Sequence, residues 1–451
     1  MYRVAMMPSA RLPLLTPRGW ILAAMALFLM ALTVQYLVKI SDPRRGNRSA
    51  IQRWQPQLLG LEQGEDISKE YQYPNPPVMS VLLLPLAKLP SGTMAVTWYL
   101  AKCLMALAVM AWCLRLVDPG NRLPWWIQAG IVLLALRPIV GDLQHGNVNL
   151  FIFFIVMGGL VCVANGRSAC GGVLLALAAC CKVTPLLFLP YFVWKRDWRF
   201  VTGWVAGVLL FLWPGVMPSV VLGFEENQRN LISWYREMVH PFVVEGKVTS
   251  EHSNQSLPGV VFRLLTESPS FVEYPGGIFT PAEYHNILDL PPRVAKLITQ
   301  SAMAAFGLLI LWTCAPAANR DAGVRAESWP RLAAEWSLVL IGMLLLSERT
   351  WKHHAVTLAL PWAVIVSRAW LTDSILARRW CVALSAVAVV GMWATSTGLL
   401  DDRAAKLGQV YGGYTLAFLS LTVAVVVCLK SMSAADSATN VEPVAIPSKA
   451  A

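Results

Sequence analysis

The feature that most constrains this chain is a series of apolar runs, each about 20 residues long, separated by short basic turns. A bilayer core of roughly 30 Å takes about 20 residues of helix to cross. Lipid offers the backbone no hydrogen-bond partners, so such runs must be helical. They fall near 20–39, 93–116, 124–140, 148–164, 168–182, 183–195, 199–221, 294–315, 332–347, 353–371, 379–399 and 412–430. The chain therefore reads as an all-α polytopic membrane protein with about twelve transmembrane helices. The turns at Arg115–Arg122, Arg167, Lys195–Arg199, Arg320–Arg331 and Arg368–Arg379 are short and basic. With the N-terminus inside, all of them lie in the cytoplasm, as the positive-inside rule requires. The first run follows Arg3, Arg11 and Arg18, is too long for a signal-peptide core and lacks a small-residue cleavage site. It reads as a retained signal anchor. The stretch 168–195, with Pro185 and Pro190, reads as one broken hairpin or two short helices.

Composition agrees. Only 14% of the 451 residues are charged, against about 25% in a soluble chain. The formal charge of +11 comes from basic clusters between apolar blocks, so it marks topology and not a nucleic-acid partner. The nine cysteines lie within or at the ends of apolar runs. That placement argues against a disulfide framework or a zinc site and suits buried small hydrophobes. The domain reading is a cytoplasmic N-terminus over 1–19, a multispan body over 20–430, and a small polar, disordered tail over 431–451.

Two outer segments are long, about 40–92 and 222–293. In the first, Ile51, Trp54, Leu58 and Leu61 have helical spacing and predict an amphipathic helix lying along the interface. Val78 to Leu89 is too short to span and predicts a re-entrant or interfacial helix. The second is rich in Pro, Gly, Asn and aromatics and is large enough to fold over the membrane face.

All six histidines (His145, His240, His252, His285, His353 and His354) and most unusual polar residues fall on the outer side, and four stretches there share this polar character. Asp42 sits at a membrane mouth among Arg44, Arg45, Arg48 and Arg53: a general base beside an anion-binding patch, with Glu62, Glu65, Asp66 and Glu70 as acidic alternatives. The prolines of Tyr71–Pro77 hold Tyr73 and Asn75 rigidly. The segment Asp142 to Asn149 lies between two spans and offers Gln144, His145, Asn147 and Asn149 as polar binding groups, Asn147 and Asn149 being able to hydrogen-bond hydroxyls, although Asn is also common as a helix cap. Lys182, inside an apolar block, is a functional candidate by cost alone. The tight turn Ser347–His354 places Arg349, Trp351 and Lys352 beside His353 and His354, which suits an anionic leaving group. Adjacent histidines are a weak metal signal, and no metal or cofactor is expected. Asn254, Gln255 and Ser256 can bind a polar ligand and also match a low-specificity glycosylation pattern. A transporter or flippase, the rival class, predicts paired midplane charges and two matching halves. A non-catalytic envelope-assembly scaffold is the third reading.

Five segments, in order from about residue 47 to 361, resemble the family-87 glycosyltransferases. They are YPNPPVMSVLLLPLAKLP, GNVNLFIFF (with Asn147 where the family has Gln), CKVTPLLFLPYFVWKRDWR, NQSLPGVVFRL, and SERTWKHHAVTLALP (with Thr350 where the motif has Ser). The resemblance implies a C-type glycosyltransferase architecture in a bacterial inner membrane, with both termini cytoplasmic and the active site outside. It implies metal-independent, inverting transfer of a hexose, mannose at family level, from a polyprenyl-phosphate-sugar donor to a lipid or glycan acceptor. The family's carboxylate base maps to Asp42 and its late histidine to His353 or His354.

Overall fold

Each of the expected apolar runs contains helix in the computed structural model, which describes residues 17–42, 49–212, 216–315 and 328–439. Arg44, Arg45 and Arg48 lie outside the described residues, as do 316–327 and the last part of the tail. The chain divides into two compact units, Met1–Arg48 and Ser49–Ala451. The first contains α1 (Pro17–Ser41), a helix with exposed Leu27, Met30, Val34 and Val38, followed directly by Asp42.

The second unit opens with α2 (Ala50–Glu62), α3 (Ile67–Tyr71) and α4 (Pro77–Ala87). The amphipathic helix is present, but Ile51, Trp54, Leu58 and Leu61 are buried by protein, because α2 packs on α4 and the following helix α5 (Ser91–Val117). Next come α6 (Trp125–His145), α7 (Asn149–Ala164) and α8 (Ser168–Cys181). The proline-containing stretch resolves into two pieces, the break falling just before Pro185 while Pro190 is accommodated within a helix: α8, then a 3-10 turn at Thr184–Leu187 leading into α9 (Phe188–Trp194). The run expected at 199–221 becomes α10 (Trp198–Phe211) and a separate α11 (Met217–Leu222). Helices α8 and α10 touch through glycine: a Cβ on Gly172 would strike the Phe200 carbonyl, and one on Gly203 the Ala169 carbonyl. Such small-residue seams let backbones approach where lipid supplies no hydrophobic drive between helices.

The second long segment, 222–293, contains α12 (Phe224–Trp234), α13 (His240–Val243), α14 (Leu257–Leu265) and an antiparallel hairpin of β1 (Pro269–Glu273) and β2 (Thr280–Tyr284). The rest is α15 (Pro292–Thr313), α16 (Trp329–Leu345), a 3-10 segment Lys352–Leu358 running into α17 (Ala359–Leu371), α18 (Ile375–Trp393), α19 (Asp402–Val410) and α20 (Gly413–Thr439). Helix α20 thus runs past the boundary expected at 430.

Among the described residues, six helical stretches are long and apolar enough to cross a membrane: α5, α6, α15, Lys352–Leu371, α18 and Gly413–Met432. Shorter apolar helices, α7, α8 and α10 among them, accompany them. Helix α16 is the core. From Ala333 to Leu345 every residue is buried, as expected of a helix apolar on all sides. Helix α15, by contrast, exposes Leu297, Leu308 and Trp312, and α18 exposes Val382, Val390 and Trp393. Apolar faces of this extent belong against hydrocarbon and not water. One end of the bundle is tied by Glu335, which is 1% exposed and receives Lys195 at 2.7 Å, Arg331 at 3.4 Å and the Tyr191 hydroxyl at 2.8 Å. The chain is a polytopic, all-α membrane protein.

Candidate active site

The polar motifs meet where α6 ends and α7 begins. The expected span stopped at 140, but α6 continues to His145 and ends at Gly146, which adopts φ +65°. A Cβ there would be strained by that dihedral and would also collide with Ser49 Oγ, so glycine is required twice over. The extra turn carries Asp142 into the protein interior instead of leaving it in a loop. Asp142 is fully buried and pairs with Lys102 of α5, Nζ to Oδ2 at 2.7 Å. Lys102 also donates to the carbonyls of Asp142 (2.6 Å) and Asn147 (2.8 Å). Asp142 in turn accepts from the Asn149 amide at 3.0 Å and from Leu150 N at 3.3 Å, which caps α7. Asn149 Oδ1 accepts from Lys182 Nζ. The result is a continuous relay, Lys102–Asp142–Asn149–Lys182, joining α5, α6, α7 and the end of α8.

Asn147 reaches the other way. Its Oδ1 accepts from Val148 N at 2.7 Å, so its amide nitrogen faces His353 Nε2 at 3.1 Å and donates to it. That makes Nδ1 the protonated nitrogen of a neutral His353. The His353 ring stacks on His145 with centroids 4.7 Å apart. His354 is held differently, its Nδ1 accepting from Trp351 N at 3.4 Å. The neighbouring histidines serve two cavities. His353 and His145 line one of about 440 Å3 with Arg137, Trp351, Lys352 and Tyr414. His354 borders a far smaller one with Lys182, Asn149, Ser347 and Thr357.

Asn254, Gln255 and Ser256 are fully buried, and their side chains are committed to backbone. Asn254 donates to the carbonyls of Thr249 (2.8 Å) and Glu348 (2.9 Å), and its Oδ1 accepts from Ser256 N (3.0 Å) and Thr350 N (2.9 Å). Gln255 N donates to Thr350 O at 2.7 Å, while its side chain donates to Gln409 O and accepts from Tyr414 N. Ser256 Oγ donates to Glu348 O at 3.1 Å. This segment fixes the backbone of Glu348 and Thr350 in the Ser347–His354 turn.

Tyr73 and Asn75 are also buried, at the start of α4. Burial pushes the Tyr73 phenol up to about 12, eased by the adjacent Asn75 and Ser80 side chains. Even so, Tyr73 OH, Asn75 Nδ2 and Ser80 Oγ lack well-formed partners. Of the acidic alternatives in this segment, Glu62 pairs with Lys88 at 2.7 Å and Glu65 accepts from the Tyr71 hydroxyl at 3.1 Å. Asp66 caps α3 through Lys69 N and accepts from the Ser233 hydroxyl at 2.7 Å. Lys102 and Arg137 were absent from the sequence-derived candidates. The signal was available, since each is a cation inside an apolar run, the same cost argument that singled out Lys182.

A family model described as glycosyltransferase family 87 matches residues 73–347. A polyprenol-phosphate-mannose-dependent alpha-(1-2)-phosphatidylinositol mannoside mannosyltransferase of Mycolicibacterium smegmatis is 26% identical over 323 residues, 68% of this chain and 62% of that protein. The protein of the same description from Mycobacterium tuberculosis is 26% identical over 202 residues, 42% of this chain and 45% of that one. The chain thus spans less than two thirds of either relative. No solved structure matches. The matched region takes in the α6–α7 junction, Lys182 and the Asn254–Ser256 bracket and covers more than half of the sequence, so this chain belongs to glycosyltransferase family 87.

Proposed function

We propose that this protein transfers a hexose, mannose in the first instance, from a polyprenyl-phosphate-sugar to a lipid or glycan hydroxyl on the extracytoplasmic face of a bacterial inner membrane, inverting the anomeric centre. The observation that carries this reading is the meeting of the α6–α7 junction, Lys182, the Asn254–Ser256 segment and the Ser347–His354 turn, beside a cavity lined by histidine, arginine, lysine and aromatic side chains. The polyprenyl chain lies in a groove open to lipid. Lys182, Lys352 and the first-segment arginines Arg48 and Arg53 hold the phosphate, and such fixed cations also stabilise the charge that develops as it leaves. Asp42 takes the proton of the acceptor hydroxyl. That oxygen attacks the anomeric carbon from the face opposite the phosphate, so one C–O bond forms as the other breaks. Gln144, Asn147, Asn149 and His354 hold sugar hydroxyls. The bracket of Asn254, Gln255 and Ser256 keeps Trp351, Lys352 and His353 in position. The two mycobacterial relatives are named for a polyprenol-phosphate-mannose donor and a phosphatidylinositol mannoside substrate, and both chemistries fit this scheme.

The test is sugar transfer by purified protein in lipid vesicles, supplied with radiolabelled polyprenyl-phosphate-mannose and a crude membrane-lipid extract as acceptor. Label in a new lipid product supports the reading. Donor that neither binds nor turns over, with any hexose tried, overturns it.

A further inference from the structure

The larger cavity contains a pair of cations that the transfer scheme does not fully use. Arg137 lies on α6, inside an apolar run where a guanidinium is costly. Lys352 begins the 3-10 segment before α17. Both line the cavity of about 440 Å3. Both are tethered to the end of α18: Arg137 donates to the Met392 carbonyl, and Lys352 Nζ donates to the Thr395 carbonyl at 2.8 Å. Capping the negative end of a helix is the structural account of such contacts. It uses one N–H of each side chain, whereas a guanidinium has five and an ammonium three. Neither cation takes part in a salt bridge among the described residues. The acid that acts on Lys352 is Asp402, and it is itself paired with Lys406 at 2.6 Å. Arg137 and Lys352 also repel each other across the site, a standing cost unless an anion sits between them.

The rest of the wall fits an anion attached to something larger. The Tyr414 ring lies 6.0 Å from the Arg137 guanidinium, and the Trp351 indole lines the same space. A planar fork beside a point charge matches two oxygens of one phosphate. Building on the glycosyl-transfer reading, we propose that Arg137 and Lys352 form an anion seat in this cavity that binds the phosphate of a lipid substrate, with Trp351 and Tyr414 flanking the group attached to it. The phosphate is that of the polyprenyl donor or that of a phosphodiester in a lipid acceptor, and the two sources are separable by experiment.

The full chain in phosphatidylcholine nanodiscs is titrated with a polyprenyl phosphate and its matching polyprenol, then with phosphatidylinositol and diacylglycerol. Hydrogen bonds to a charged group are worth about 10- to 100-fold each in affinity. The unmodified protein should therefore prefer at least one phosphate-bearing lipid over its neutral counterpart by about tenfold or more. In Arg137→Gln and Lys352→Gln that preference should fall about tenfold. Loss for the polyprenyl pair assigns the seat to the donor, and loss for the phosphatidylinositol pair assigns it to the acceptor. Preference retained for both pairs in both variants overturns the proposal, as does an unmodified protein that shows none. If Arg137→Gln does not give a monodisperse protein, Lys352→Gln and Arg137→Lys carry the same comparison. These readouts need no turnover, so absent transfer by the unmodified chain would count against the broader reading and not against the seat.

Discussion

Lys102 and Asp142 are both wholly buried, and each satisfies the other. A buried pair of this kind contributes little against an apolar substitute, but removing one partner strands the other and costs about 3–5 kcal/mol. Lys102→Met should therefore lower the unfolding free energy by that order, in detergent melts or denaturant titrations. It should also release the α7 N-terminus that Asp142 caps. A variant as stable as the unmodified chain would show that Asp142 has found another counter-charge. Asp42 is a different kind of residue. As the general base of the proposed transfer, its loss should matter to chemistry and not to folding. Asp42→Asn should lower turnover by about 10²–10⁴-fold with donor binding kept. Near-normal turnover would remove Asp42 from the mechanism and return attention to Glu65 and Asp66.

At the level of elements, the bracket formed by Asn254 to Ser256 ties the segment before α14 to the turn after α16. Asn254 makes four buried hydrogen bonds, two of them to Glu348 and Thr350. Asn254→Ala strands those backbone groups at about 1–3 kcal/mol for each group left unpaired. It should loosen the turn that carries His353 and His354. The expected result is a lower melting temperature together with weakened transfer, while donor phosphate binding at sites off the turn is kept. Loss of transfer with no change in melting would instead place Asn254 against substrate.

For the molecule as a whole, one carboxyl in the turn after α16 gives a pH signature. Burial raises the Glu348 carboxyl above its ordinary 4.5, against the opposing pull of Arg349 and the Thr249 hydroxyl. The folded chain therefore holds this proton more tightly than the unfolded chain. Its contribution is complete below 4.5 and is lost as pH rises through the folded value. Glu348→Gln removes that loss. The variant's melting temperature relative to the unmodified protein should then rise between about pH 4 and about pH 7. A difference that does not change with pH would mean that the carboxylate is solvated in the folded state.

The helices were legible in the sequence because run length against bilayer thickness is a local rule, and Pro185 and Gly146 punctuate the chain at positions where the backbone turns. The sequence also singled out His353, His354, Asn147 and Lys182 as separate candidates. What tertiary structure alone decided was partnership. Nothing local says that α6 runs on to bring Asp142 beside a lysine 40 residues earlier, or that α2 spends its apolar face on α4 and α5 and not on lipid. Nor does it say that Asn254 faces a turn more than 90 residues away, or that two adjacent histidines open onto separate cavities. The physical reason is common to all four. Helix formation in lipid follows from each segment's own backbone and side chains, whereas which buried polar group meets which depends on how finished helices pack.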